Sequence, residues 1–152
     1  MKKLLFTPIL LLTSATLLAD SANLQFDGSI DTSCTVVATQ TGDLDLNGQV
    51  VSTTTPAQAT IAQNSPGSFN VSITPPTSFS VKPNGFNGDL LGNATASYSL
   101  SGNNNGVNLS GVTTLNNSGS DSISLLLSGA TSETLMPGEY QLMAVVSCDA
   151  ML

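Results

Sequence analysis

Asp43, Asp45, Asn47 and Gly48 follow the pattern D-x-D-x-N-G, the first half of a calcium-binding loop. Such a loop completes its coordination with a bidentate Glu at the twelfth position. Thr54 stands there in this chain. Leu44 and Leu46 alternate with the acids, so the same residues also read as a strand with leucines facing a core and carboxylates facing water. That strand is the expectation for this stretch, and no metal or cofactor is assigned. Asp43 and Asp45 also have the residue types of a glycosidase pair, which needs two carboxylates flanking the scissile bond. The chain has no Trp, two Tyr and five Phe from which to build a sugar platform. Ser80-Val81-Lys82 lacks the S-x-x-K spacing of a Ser/Lys nucleophile. The absence of His removes the imidazole base, the imidazole metal ligand and the usual pH switch. With no convergent acid/base set, no enzymatic activity is expected.

Cys34 and Cys148 are the only cysteines. A reactive thiol needs a positive neighbour to lower its pKa, and the chain beyond residue 3 carries a single cation, Lys82. In an exported protein two cysteines pair, so a Cys34–Cys148 disulfide is expected. It would close most of the chain into one loop, worth on the order of 4–5 kcal/mol by loop-closure entropy.

The N-terminus supplies the reason to expect export. Lys2 and Lys3 precede an apolar run over 4–18, and Ala19 follows as a small residue at a cleavage position. This is the pattern of a secretory signal peptide, 1–19. The run is shorter than the ~20 apolar residues of a transmembrane helix. Cleavage after Ala22 is the alternative, with Asp20 then at a disfavoured position. The expected product is one domain, 20–152, with no membrane span, located in the periplasm, at the cell surface or in the medium. Net charge is −7 for the whole chain. Without Lys2 and Lys3 it is −9, one cation against ten acids. Such a chain cannot neutralise a phosphate backbone, so nucleic acid is not an expected partner, nor is an anionic membrane surface.

The elements that must position these residues are strands. Apolar residues recur with period two at Leu24, Phe26, Gly28 and Ile30, with the same parity continuing to Cys34 and Val36. Phe69, Val71 and Ile73 repeat the pattern, as do Ala94, Ala96, Tyr98 and Leu100, and Ile123, Leu125 and Leu127. The last strand is expected at Tyr140, Leu142, Ala144, Val146 and Cys148, with Met143 and Val145 giving it a second partly buried face. Ser65-Pro66-Gly67, Asn84-Gly85 and Met136-Pro137-Gly138 are turn sequences, Gly102–Gly106 is a hairpin loop, and Pro75-Pro76 ends a strand. No apolar period of 3.6 follows Ala19. The expected fold class is all-β, an antiparallel β-sandwich or barrel. If the first and last strands ran parallel and adjacent, the two cysteines would meet at one end.

Two stretches resemble a known family. Phe26-Asp-Gly28-Ser-Ile30, then Ser33-Cys34-Thr35-Val36, then Asp43-Leu-Asp-Leu-Asn-Gly48-Gln-Val50, look like the opening of a chaperone–usher fimbrial subunit. Met136-Pro137-Gly138-Glu139-Tyr140 and the alternation after it resemble the closing strand of such pilins and of spore-coat-U-like pilus proteins. The resemblance implies an immunoglobulin-like sandwich, export, and assembly by β-strand donation, in which an N-terminal extension completes the sheet of the next subunit. The strand-exchange edges would be Leu24, Phe26, Gly28 and Ile30 at one end and Tyr140, Leu142, Ala144 and Val146 at the other. The implied partners are other subunits or a periplasmic chaperone. The family often pairs its first Cys with one much nearer in sequence than Cys148. The alternative is a self-complemented monomeric secreted or periplasmic module that binds a glycan or a protein through Pro83–Gly92 and Gly102–Gly106, because binding residues concentrate on loops of rigid scaffolds.

Overall fold

The computed structural model of the protein describes Gln25 and residues 27–151. The signal-peptide expectation for 1–19, and Leu24 and Phe26, lie outside the described residues. Two compact units are distinguished, Met1–Ile30 and Asp31–Leu152. In the first, Gln25 and residues 27–30 carry no strand. Gly28 is exposed and Ile30 is 91% exposed. The strand expected to begin at Leu24 is thus absent from these residues, because period-two alternation specifies a face and supplies no pairing partner.

The second unit is an all-β, antiparallel sandwich. Its strands are β1 (Cys34–Gln40), β2 (Asp43–Asn47), β3 (Val50–Thr55), β4 (Ala57–Gln63), β5 (Phe69–Thr74), β6 (Thr95–Gly102), β7 (Gly106–Leu109), β8 (Val112–Leu115), β9 (Gly119–Ala130) and β10 (Val145–Ala150). Seven form one sheet, and β10-β5-β8 form the other.

The larger sheet is organised by a long bent hairpin. β1 pairs β4 and β2 pairs β3, so 34–47 runs against 50–63 around Gly48-Gln49. Gly48 has φ +63°, a conformation glycine adopts without a Cβ penalty. Both arms bend at the same level. Pro56 interrupts one arm, since proline donates no ladder hydrogen bond, and Thr41-Gly42 interrupts the other. β9 lies beside the returning arm, pairing β4 with its first half and β3 with its last residues. Across the bend the Thr53 hydroxyl replaces the missing ladder bonds. It donates to the Leu127 carbonyl (2.9 Å) and accepts from the Leu127 N–H (2.7 Å). β6 and β7 extend the sheet on the other side of β9.

Gly42 is required by this bend. A Cβ there would stand 2.7 Å from both the Ala57 nitrogen and the Thr55 oxygen, backbone atoms that cannot rotate away. Gly42→Val is expected to lower the urea midpoint by the equivalent of about 1–3 kcal/mol, the usual cost of overpacking. An unchanged midpoint would show that the two arms part easily at the bend.

The sheets enclose two cores. The main one lies between them and contains Ile61, Phe69, Val71, Tyr98, Leu115 and Ile123. Tyr98 is 1% exposed, and its hydroxyl is 2.6 Å from Thr113 Oγ1, which joins the two sheets through one hydrogen bond. The second core lies beyond the bend and is covered by loops. Phe79, Phe86 and Tyr140 meet edge to face there, with centroids 5.1–6.2 Å apart, over Val51, Leu90 and Ala94.

The C-terminal strand is shorter than its alternation suggests. Regular pairing with β5 starts at Val145, and before it Gln141 makes only an isolated bridge to Val81. Tyr140, Leu142, Ala144 and Val146 still face inward. Met143 and Val145 do not form a second buried face, since they are 70% and 55% exposed. β10 is an edge strand of its sheet, and Val145 on its outer face is exposed. β1 and β10 lie at the edges of different sheets, so the two cysteines meet across the sandwich and not through a shared ladder.

Candidate functional site

The sandwich has two seams, and they differ. On one side the chain crosses from β7 to β8 through Ser110 and Gly111 alone, tying the sheets together. On the other side β1 and β10 are both edge strands: among the described residues β1 pairs only β4 and β10 pairs only β5. There the tie is the Cys34–Cys148 disulfide, as expected, with Cα atoms 6.2 Å apart. A cystine is compatible with an exported or periplasmic protein.

Beyond the cystine the seam opens into a groove of about 800 Å³. Its first wall is the 34–47 arm, contributing Ala38, Leu44 and Leu46. Its second is the stretch before and within β10, contributing Tyr140, Leu142, Ala144 and Val146. The floor is main-core surface, Ala59, Ile123, Leu125 and Leu127. Residues after Cys34 share the groove with residues before Cys148, so the two walls run in opposite senses rather than parallel. The lining also has polar members, among them Gln40, Asp43, Gln58, Glu139 and Gln141. The groove is mostly apolar within and flanked by two strand edges that pair with no other strand among the described residues, the features that invite another strand.

This placement sorts the residues singled out from sequence. The C-terminal alternation Tyr140, Leu142, Ala144 and Val146 lines the groove, and Cys34 and Cys148 close one end of it. The facing wall was legible only as a strand: Leu44 and Leu46 are half-buried and Asp43, Asp45 and Asn47 exposed. The two loops expected to bind ligands in the alternative reading are both engaged in the fold. In Pro83–Gly92, Phe86 and Leu90 belong to the second core. Asp89 accepts from the N–H groups of Phe79 (3.0 Å) and Leu90 (2.9 Å). Burial pushes the Asp89 carboxyl up, but these two amides and the Lys82 ammonium outweigh it and hold the pKa below the ordinary carboxylate value. Lys82 donates to the Gly88 carbonyl at 2.9 Å and lies 5.8 Å from the Phe86 ring centroid. In Gly102–Gly106, Asn104 is buried and hydrogen-bonded through its backbone and side chain to Asp121 (2.6 and 2.7 Å).

Sequence reasoning missed this Asp121 cluster. Asn104 also bonds both backbone groups of Asn117, and Gln63 donates to the Asn117 carbonyl. A signal was present: Asp121 shares the parity of Ile123 and Leu125 and so had to point inward. Asn64, which bonds the chain just before Cys34, was missed as well.

Comparison with protein-family models, with curated proteins and with solved structures returned no match. Among the described residues, no helix is long and apolar enough to cross a membrane.

Proposed function

We propose that the protein is an exported structural or adhesive surface subunit that assembles by β-strand donation, and that the groove between β1 and β10 receives the donated strand. The observation that carries this reading is the open seam: an apolar trough over the main core, between two edge strands of different sheets. On this reading the sandwich is an immunoglobulin-like, pilin-like one that lacks an edge strand. The incoming strand would gain main-chain hydrogen bonds from β1 and β10, and its alternate side chains would pack on the half-buried Leu44, Leu46, Leu127 and Leu142 that line the groove. Residues 20–30 supply a segment of suitable character, with Leu24, Phe26, Gly28 and Ile30 at alternate positions and no pairing of Gln25 and 27–30 in the structure. Fibre growth at the cell surface, or storage on a periplasmic chaperone that lends a strand to the groove, both follow from this chemistry.

The test is size-exclusion light scattering on protein recovered from the periplasm, with intact mass to establish the cleaved N-terminus. A ladder of oligomers resistant to mild denaturant, lost when residues 20–30 are deleted, is the expected result. A monodisperse full-length monomer would overturn the reading and point to a self-completed binding module.

A further inference from the structure

Asp31, Thr32 and Ser33 continue beyond β1, and Asn64 holds them. The Ser33 N–H donates to Asn64 Oδ1 at 2.8 Å, and Asn64 Nδ2 donates to the Asp31 carbonyl at 2.8 Å. The Asn64 N–H donates to the Ser33 carbonyl at 3.2 Å. Cys34 pairs with Gln63 in the ladder of β1 and β4, so these three bonds extend that ladder by one step. They keep the chain in line with β1 and on its β4 side, opposite the groove.

We infer that Asn64 is a positioning residue that commits the N-terminal strand to a second copy of this chain. The inference rests on the strand-donation reading. For residues 24–30 to fill their own groove, the chain would have to reverse within Asp31–Ser33 and run back along the free edge of β1. A three-residue hairpin is short but possible for an unrestrained chain. Here all three residues lie in the span that Asn64 bridges, and a reversal must break its bonds. The same end of the groove is also closed. One strand between two others needs roughly 10 Å between the flanking strands, whereas the Cα atoms of Cys34 and Cys148 are 6.2 Å apart. A returning strand would have to start beside this closed end, whereas a strand from another copy can enter where the walls have parted. Asn64 thus acts against self-completion, and the cystine sets how far the donated strand can reach.

The experiment compares the full mature chain with Asn64→Ala and Asn64→Asp by size-exclusion light scattering and thermal melting. Asp keeps the acceptor for Ser33 N–H and loses the donor to Asp31. Losing these bonds is expected to raise the monomer-to-oligomer ratio about tenfold for Ala, with Asp between Ala and wild type. The new monomer should melt as high as the wild-type oligomer, because its groove is filled by its own strand. A ratio unchanged in both variants, with wild type oligomeric, overturns the role of Asn64 alone. A variant monomer that melts well below wild type also overturns it, since its groove is then empty. A wild-type chain that is itself monomeric overturns the strand-donation reading and this inference with it.

Discussion

Replacing Cys34 and Cys148 together with Ala is expected to remove about 4–5 kcal/mol of stability, the largest loss available from any one bond in the protein. The bond spans a sequence separation of 114 residues, and constraining so long a loop removes much of the freedom of the unfolded chain. For a domain of this size that loss corresponds to a fall in Tm of roughly 10–20 °C. The native state loses something too. Along this seam no backbone ladder joins β1 to β10, so the pair would be held only by side chains across the groove. Urea unfolding of the oxidised protein and the double variant measures the difference. A loss below about 1 kcal/mol would mean that the seam is already closed by packing.

Asp121→Ala is expected to cost about 3–5 kcal/mol through an unrelated cause. Asp121 is 1% exposed, and its two oxygens accept the backbone and side-chain N–H groups of Asn104. Hydrogen bonds to a charged group contribute about 1.5–3 kcal/mol each, and a buried donor left without a partner adds the cost of its lost hydration. The damage would spread, because Asn104 in turn holds Asn117, which Gln63 also bonds. Asp121→Asn keeps one acceptor and should lose about half as much. The check is the urea midpoint of each variant. Equal and small effects would show that water replaces the carboxylate without penalty.

Much of the fold was legible because a strand writes its buried face as alternation. Tyr98 and Leu100, Ile123 and Leu125, and Ala144 and Val146 all occupy the faces their parity assigned. Alternation does not name the partner strand, however, and pairing here links residues far apart in sequence. That is why the disulfide could be expected while the sheets that β1 and β10 edge could not be read. It is also why Leu24–Ile30 carried the pattern of a strand, while the residues of that stretch described in the structure have none. The second core was illegible for another reason. Phe86 and Leu90 sit on a loop whose spacing follows no period, and the residues they pack with, Val51, Ala94 and Tyr140, come from distant parts of the chain. Of the groove, the wall formed by Tyr140 to Val146 and the cystine were readable. The trough itself is a property of two sheets failing to meet, which no local pattern encodes.

The length of β9 has a consequence for how the molecule comes apart. Its first half carries Ile123 and Leu125 of the main core, and its last residues pair with β3, the strand that holds Val51 of the second core. Neither core can therefore be released without pulling on the same strand. Two hydrophobic centres covered by different elements would ordinarily behave as separate foldons with their own opening free energies. Sharing one central strand couples them, so amide hydrogens along β9 are expected to exchange through global opening, which hydrogen exchange measured against urea would check. The loop-covered end and the sandwich are then expected to melt together as one cooperative unit.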